Sequence, residues 1–140
     1  MEVRKLTDSI SVSPQVAIED IKAIADAGFK TVICNRPNGE SDDQPDLALI
    51  EAECQKHGLI YVSQPVISGK ISDQDVEAFD QFLASAQTPI FAFCRTGTRC
   101  TMLWGMAEGS RQSSQMIIDT AAKAGYDLNG VKERIEARHK

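Results

Sequence analysis

The stretch Pro89-Ile90-Phe91-Ala92-Phe93-Cys94-Arg95-Thr96-Gly97-Thr98-Arg99-Cys100 decides how this chain folds. Ile90 to Phe93 form a short apolar run, the signature of a strand buried on both faces. Glycine, threonines and arginines interrupt it, and a helical segment opens at Cys100. Strand, tight loop and helix in that order make one βα unit of a parallel sheet. The loop also places a thiol and two guanidinium groups at the strand's carboxyl end.

The same alternation extends outward in both directions. Ile10 to Ser13 reads as a strand. A helix is predicted from Pro14-Gln15 to about Ala27, with Val16, Ile18, Ile21, Ile24 and Ala25 as its apolar set and Gly28 as its stop. Phe29 to Cys34 is a second strand, followed by the turn-rich "NRPNGESDDQP". Asp46 to His57 reads as a helix with Leu47, Ile50 and Cys54 on one face. Leu59 to Val62 is a strand ended by Gln64-Pro65. Ser72-Asp73-Gln74-Asp75 has the form of a helix cap with an acidic first turn, and that helix runs to about Ala86. Beyond Cys100, helices are predicted to Glu108, over Ser113 to Ala124 and over Val131 to Arg138. The pattern predicts a single α/β domain over residues 1–140, with a mostly parallel sheet of about four strands flanked by helices.

In such a sheet, ligands bind beyond the carboxyl ends of the strands. The loops starting at Asn35-Arg36, Gln64-Pro65 and Cys94-Arg95 therefore share one edge. In the last of them the amides of Arg95 to Arg99 can turn inward around one point, at the amino end of a helix that favours anions. Gly97 permits the tight turn. Thr96 or Thr98 can hydrogen-bond an oxyanion or the thiolate, and Arg99 offers a planar two-pronged donor. The same field lowers the Cys94 pKa and makes it a nucleophile. Arg95, Thr96, Gly97, Thr98, Arg99 and Arg36 are the anion-binding candidates. Arg36 has a second reading, as a partner of the "ESDD" run.

The loop "CRTGTR" matches in length the cysteine-x4-arginine loop of rhodanese-like sulfurtransferases and resembles the His-Cys-x5-Arg loop of cysteine phosphatases. Together with "GFKTVICNRP", "YVSQPV" and "AAKAGYDLNGVKERI", it resembles the beta-lactamase-hydrolase-like protein, phosphatase-like domain family over nearly the whole chain. The resemblance implies a dual-specificity-phosphatase-like scaffold with Cys94 as nucleophile and Arg99 as anion binder. It also links the domain to sulfur metabolism, because related domains occur fused to a persulfide-oxidising metallo-hydrolase.

Three departures separate this chain from such phosphatases. Phe93 replaces the histidine before the cysteine, the arginine comes one residue early, and counting from Tyr61 puts Ser68 where an acid is expected. Asp73, Asp42 and Asp43 are then the substitutes for a proton donor, with Asp73 first. The sequence leads to a phosphatase-like hydrolase that acts on phosphomonoesters, phosphotyrosine-type esters among them, through a Cys94 phosphocysteine with Arg99 and the loop amides binding the oxyanion. The alternative is a sulfurtransferase carrying a persulfide on Cys94, and the third reading is an inactive oxyanion-binding module. The corresponding partners are a small-molecule or phosphopeptide substrate, or a sulfur donor and thiol acceptor.

Cys100 has two readings, a redox partner of Cys94 or a small buried residue. Cys34 and Cys54 read as core, as do Trp104 and its neighbours. The two histidines, His57 and His139, suggest no metal site, and no cofactor is expected. A net charge of −5 argues against nucleic-acid binding, and no apolar run has membrane-spanning length. The sequence is read as cytoplasmic, with an open oligomeric state.

Overall fold

The computed structural model describes residues 1–139. Its sheet has five strands: β1 (Arg4–Lys5), β2 (Ile10–Ser13), β3 (Thr31–Cys34), β4 (Ile60–Ser63) and β5 (Ile90–Phe93). Their order is β1-β2-β5-β3-β4. All neighbours are parallel except β1, which pairs antiparallel with β2. The helices are α1 (Ile21–Asp26), α2 (Leu47–Lys56), α3 (Asp73–Ser85), α4 (Thr98–Glu108), α5 (Ser114–Lys123) and α6 (Lys132–Ala137).

β5 lies between β2 and β3, which explains its unbroken apolar run. Side chains alternate across the sheet. Ile90 and Ala92 enter one core with α3, α4, α5 and α6. Phe91 and Phe93 enter the other, with Ile21 and Ile24 of α1 and Leu47, Ile50 and Cys54 of α2. β4, at the sheet's other edge, is exposed at Ile60 and Ser63.

Two elements differ from the sequence reading. The fifth strand, β1, is a two-residue ladder with both residues exposed, too short and too polar to carry an alternation signal. The first helix begins later than Pro14. The Asp20 carboxylate accepts from the Ala17 amide at 2.8 Å, which sets a short 3-10 turn at Ile18–Asp20 ahead of α1. The cap at Ser72 is present as expected: Ser72 Oγ accepts from Asp75 N, and Asp75 Oδ2 accepts from Ser72 N.

Strand register fixes the functional edge. Phe93 pairs with Ser13 on one side and Cys34 on the other, and Cys34 pairs with Ser63. The four carboxyl ends therefore finish level. The loops leaving them are stitched by backbone bonds, Asn35 N to Phe93 O at 2.9 Å, Gln64 N to Cys34 O at 2.8 Å and Gln15 N to Arg95 O at 3.2 Å.

Behind the Cys94–Arg99 loop, α4 is anchored by Leu103, Trp104 and Met106, all at most 1% exposed. Trp104→Ala is expected to lower the unfolding free energy by roughly 3–5 kcal/mol, read by urea denaturation. A loss below about 1 kcal/mol would show that Trp104 does not anchor α4.

Candidate active site

Cys94 is the residue immediately after β5, and Gly97 is the cap of α4 with φ of 90°. That left-handed conformation reverses the chain between strand and helix, a turn glycine adopts without a Cβ penalty. A Cβ at position 97 would also collide with the Tyr126 hydroxyl. Tyr126 braces the loop from outside, donating to Thr96 O at 3.0 Å, while Thr101 Oγ1 donates to Gly97 O at 2.8 Å from within α4. The sequence reading assigned no role to Tyr126, because its partner lies thirty residues away in sequence.

The turn brings donors onto the sulfur. Gly97 N points at Cys94 Sγ at 3.1 Å. The Cys94 pKa is lowered to about 5, first by a hydrogen bond from the Cys100 thiol and then, against the opposing cost of burial, by the amides of Cys100, Gly97 and Thr96. Hydrogen bonds, more than the arginine charges suggested by the sequence, hold the thiolate. The Arg99 pKa is raised, first by its bond to Glu40 and then by the nearby Cys94 charge. Cys100 is fully buried, and burial and its bond to Cys94 push its own pKa up. The residue after the arginine thus supports the Cys94 thiolate as a neutral donor, and all four cysteines are free of disulfides.

Arg99 is 6% exposed and makes three bonds: Nη1 to Glu40 Oε2 at 2.9 Å, Nη2 to Glu40 Oε1 at 2.7 Å and Nη1 to Val66 O at 2.9 Å. A guanidinium has five N–H donors. The Nε–H and one Nη2–H, on a single edge of the plane, carry no protein partner among the described residues. That edge is a preset fork for two oxygens.

Glu40 is the cleft residue the sequence did not single out. It lies in the "ESDD" run, which by itself reads as a solvated turn. Its Oε1 also accepts from Arg36 Nε at 2.9 Å. Bonds from Arg99 first, and from Arg36, hold its pKa down to about 2. Arg36, expected among the anion binders, takes its other reading. It is 3% exposed and spends its remaining bonds on Gln15 Oε1 and Ser41 Oγ, so it holds Glu40 and does not line the cleft.

A cleft of about 580 Å³ opens over the loop. Arg95, Thr96, Thr98 and Arg99 form one wall, Ile71, Met102 and Val131 an apolar wall, and Glu40, Ser68, Gly69 and Arg134 the rest. Asp73, the expected proton donor, is not on it. It is the first residue of α3, its side chain is 96% exposed, and it pairs with Arg134 at 3.0 Å. Asp42 and Asp43 do not line the cleft either, and Asp43 accepts from Ser41 Oγ. Ser68 does line it. Among the described residues no group of three His, Cys, Asp or Glu side chains could hold a metal ion, and no helix is long and apolar enough to cross a membrane.

A family model for the beta-lactamase hydrolase-like protein, phosphatase-like domain, matches residues 2–114. The chain belongs to this family. The "Beta-lactamase hydrolase-like protein" of Agrobacterium fabrum is 31% identical over 130 residues, covering 91% of this chain and 30% of the relative. The chain therefore spans about a third of the length of the curated relatives it matches. The crystal structure of a "putative phosphatase" from Neisseria meningitidis is 38% identical, covers 99% of each chain and superposes with a TM-score of 0.88. The core catalytic domain of a PP-IP phosphatase from S. cerevisiae shares the fold at a TM-score of 0.74 and 15% identity, over 97% of this chain and 84% of that one. The phosphatase-like domain is thus cysteine-phosphatase-like in fold.

Two predictions follow from this geometry. Alkylation of Cys94 by iodoacetamide is expected to rise through pH 5 and level off by about pH 6; a midpoint near 8 would show that the loop does not hold a thiolate. Glu40→Gln leaves two buried guanidiniums without their counter-ion and is expected to cost on the order of 2 kcal/mol at neutral pH. Because the folded-state Glu40 pKa lies below its ordinary value, its contribution is present above about pH 4.5 and lost as pH falls toward 2. The gap between wild type and Glu40→Gln in urea melts should close over that window.

Proposed function

We propose that this domain is a cysteine-dependent phosphatase-like hydrolase acting on phosphoryl groups. The observation that carries the reading is the Arg99 guanidinium. Glu40 and Val66 fix it, two donors remain on one edge, and Arg99 lines the cleft with Arg95, Thr96 and Thr98 of the Cys94 loop. The Cys94 thiolate forms an S–P bond as the substrate's bridging P–O bond breaks and the leaving oxygen takes that electron pair, and the fork and loop amides stabilise charge on the equatorial oxygens. Phosphoryl transfer depends on this kind of positioning and electrostatic preorganisation. Water then cleaves the phosphocysteine. Family membership and the Neisseria structure's description support a phosphatase-like scaffold.

A second reading is sulfur transfer, with a persulfide on Cys94. One observation favours it: among the described residues lining the cleft, the one carboxylate, Glu40, is held ionised by two arginines and cannot supply a proton at neutral pH. Delivery of sulfur to a thiol needs no protonated leaving group, and one terminal sulfur suits a loop one residue short.

Intact-mass measurement after acid quench separates the two. The reduced protein is incubated with 4-nitrophenyl phosphate or, separately, with thiosulfate, and Cys94→Ser serves as control. The expected result is a Cys94-dependent phosphoryl adduct with turnover. A Cys94-dependent sulfur adduct without a phosphoryl adduct would replace the phosphatase reading with the persulfide one.

A further inference from the structure

The phosphatase reading leaves the leaving group's needs unmet, and the cleft indicates how they are avoided. An alkoxide departing from phosphorus requires a proton from a placed acid. Among the described residues lining the cleft, Glu40 is the one carboxylate, and both its oxygens are bound by Arg36 and Arg99 at 2.7–2.9 Å. Ser68 is exposed on the cleft wall, but its hydroxyl is no more acidic than the alcohol it would have to protonate. The cleft has cations instead. The Arg95 side chain is exposed and makes no hydrogen bond among the described residues. Arg134 lines the same cleft, held by Ile71 O at 2.8 Å and Asp73 at 3.0 Å.

Resting on the phosphatase reading, we propose that the substrate is a phosphoanhydride, whose leaving group departs as a phosphate anion received by Arg95 and Arg134 without a proton donor. The Cys94 thiolate forms the S–P bond as the bridging P–O bond breaks, and the leaving phosphate takes that electron pair. Water then attacks the phosphocysteine. The S–P bond breaks, the thiolate is regenerated, and both water protons leave with inorganic phosphate. A cation near a departing oxyanion stabilises charge that develops only in the transition state.

The test uses the whole chain with inorganic tripolyphosphate, phosphoserine and a series of substituted aryl phosphates. The expected kcat/KM for tripolyphosphate exceeds that for phosphoserine by about 100-fold. Across the aryl series it falls steeply with leaving-group pKa, nearly tenfold per unit. Ser68→Asp, which puts an acid on the cleft, is expected to raise phosphoserine turnover about tenfold and flatten the series. Arg134→Gln should lower the ratio of tripolyphosphate to 4-nitrophenyl phosphate turnover about tenfold. That ratio would not move if the variant merely loosened α6. Phosphoserine hydrolysed as fast as tripolyphosphate, a flat series in the unmodified protein, or no response to Ser68→Asp would each overturn the proposal while leaving the phosphatase reading in place. Absence of any Cys94-dependent turnover of 4-nitrophenyl phosphate would defeat the phosphatase reading, and the anhydride with it.

Discussion

The left-handed turn at Gly97 is the constraint on which the site depends. It joins a fully buried strand to a mostly buried helix within a few residues, and in doing so it aims backbone N–H groups at one sulfur atom. A thiolate in a buried position is costly unless hydrogen bonds replace the lost water. The amides and the Cys100 thiol supply them, which is why the Cys94 pKa falls although burial pushes the other way. Tyr126 and Thr101 hold the turn from opposite sides. The Cys94 thiolate is thus held by backbone geometry, without a histidine before it.

A second constraint is the Arg36–Glu40–Arg99 cluster. Two guanidiniums are nearly buried and one carboxylate lies between them. Such a cluster earns little net stability, because desolvation offsets attraction. Its effect is positional. Glu40 fixes the Arg99 plane and so decides which edge remains for a ligand. The same two bonds remove Glu40 from acid–base chemistry at neutral pH. One side chain thereby sets both the anion fork and the shortage of proton donors, and the chemistry open to the cleft follows from that pairing.

The level carboxyl ends of β2, β3, β4 and β5 bring these parts together. Glu40 and Arg36 leave β3, Ser68 follows β4, and the Cys94 loop leaves β5. α6 adds Arg134 from the far end of the chain. Cores on both faces clamp the sheet, so the loops are presented from a rigid platform. Cys34 and Cys54, also buried, are pushed toward their neutral forms by burial. At Cys94, by contrast, hydrogen bonds from the Cys100 thiol and the loop amides outweigh the cost of burial.

The strand–loop–helix alternation, the parallel sheet and the thiol, glycine and arginine of the loop were legible in the sequence. Each is written in short-range pattern: apolar runs, helix caps and residue types at fixed spacing. Ser68 as the occupant of the expected acid position was legible by counting, and it does line the cleft. The two-residue β1 was not legible, nor was the late start of α1, since one carboxylate contact decides it. The roles of Asp73, Arg36 and Glu40 were decided by tertiary structure alone. All three are charged residues in polar segments, and sequence cannot say which carboxylate a guanidinium will meet across fifty-nine residues. Local pattern determined the thiol and the turn that surrounds it. Long-range pairing of charges determined which arginine keeps free donors, and that Glu40, the one carboxylate among the described residues lining the cleft, is held by two guanidiniums.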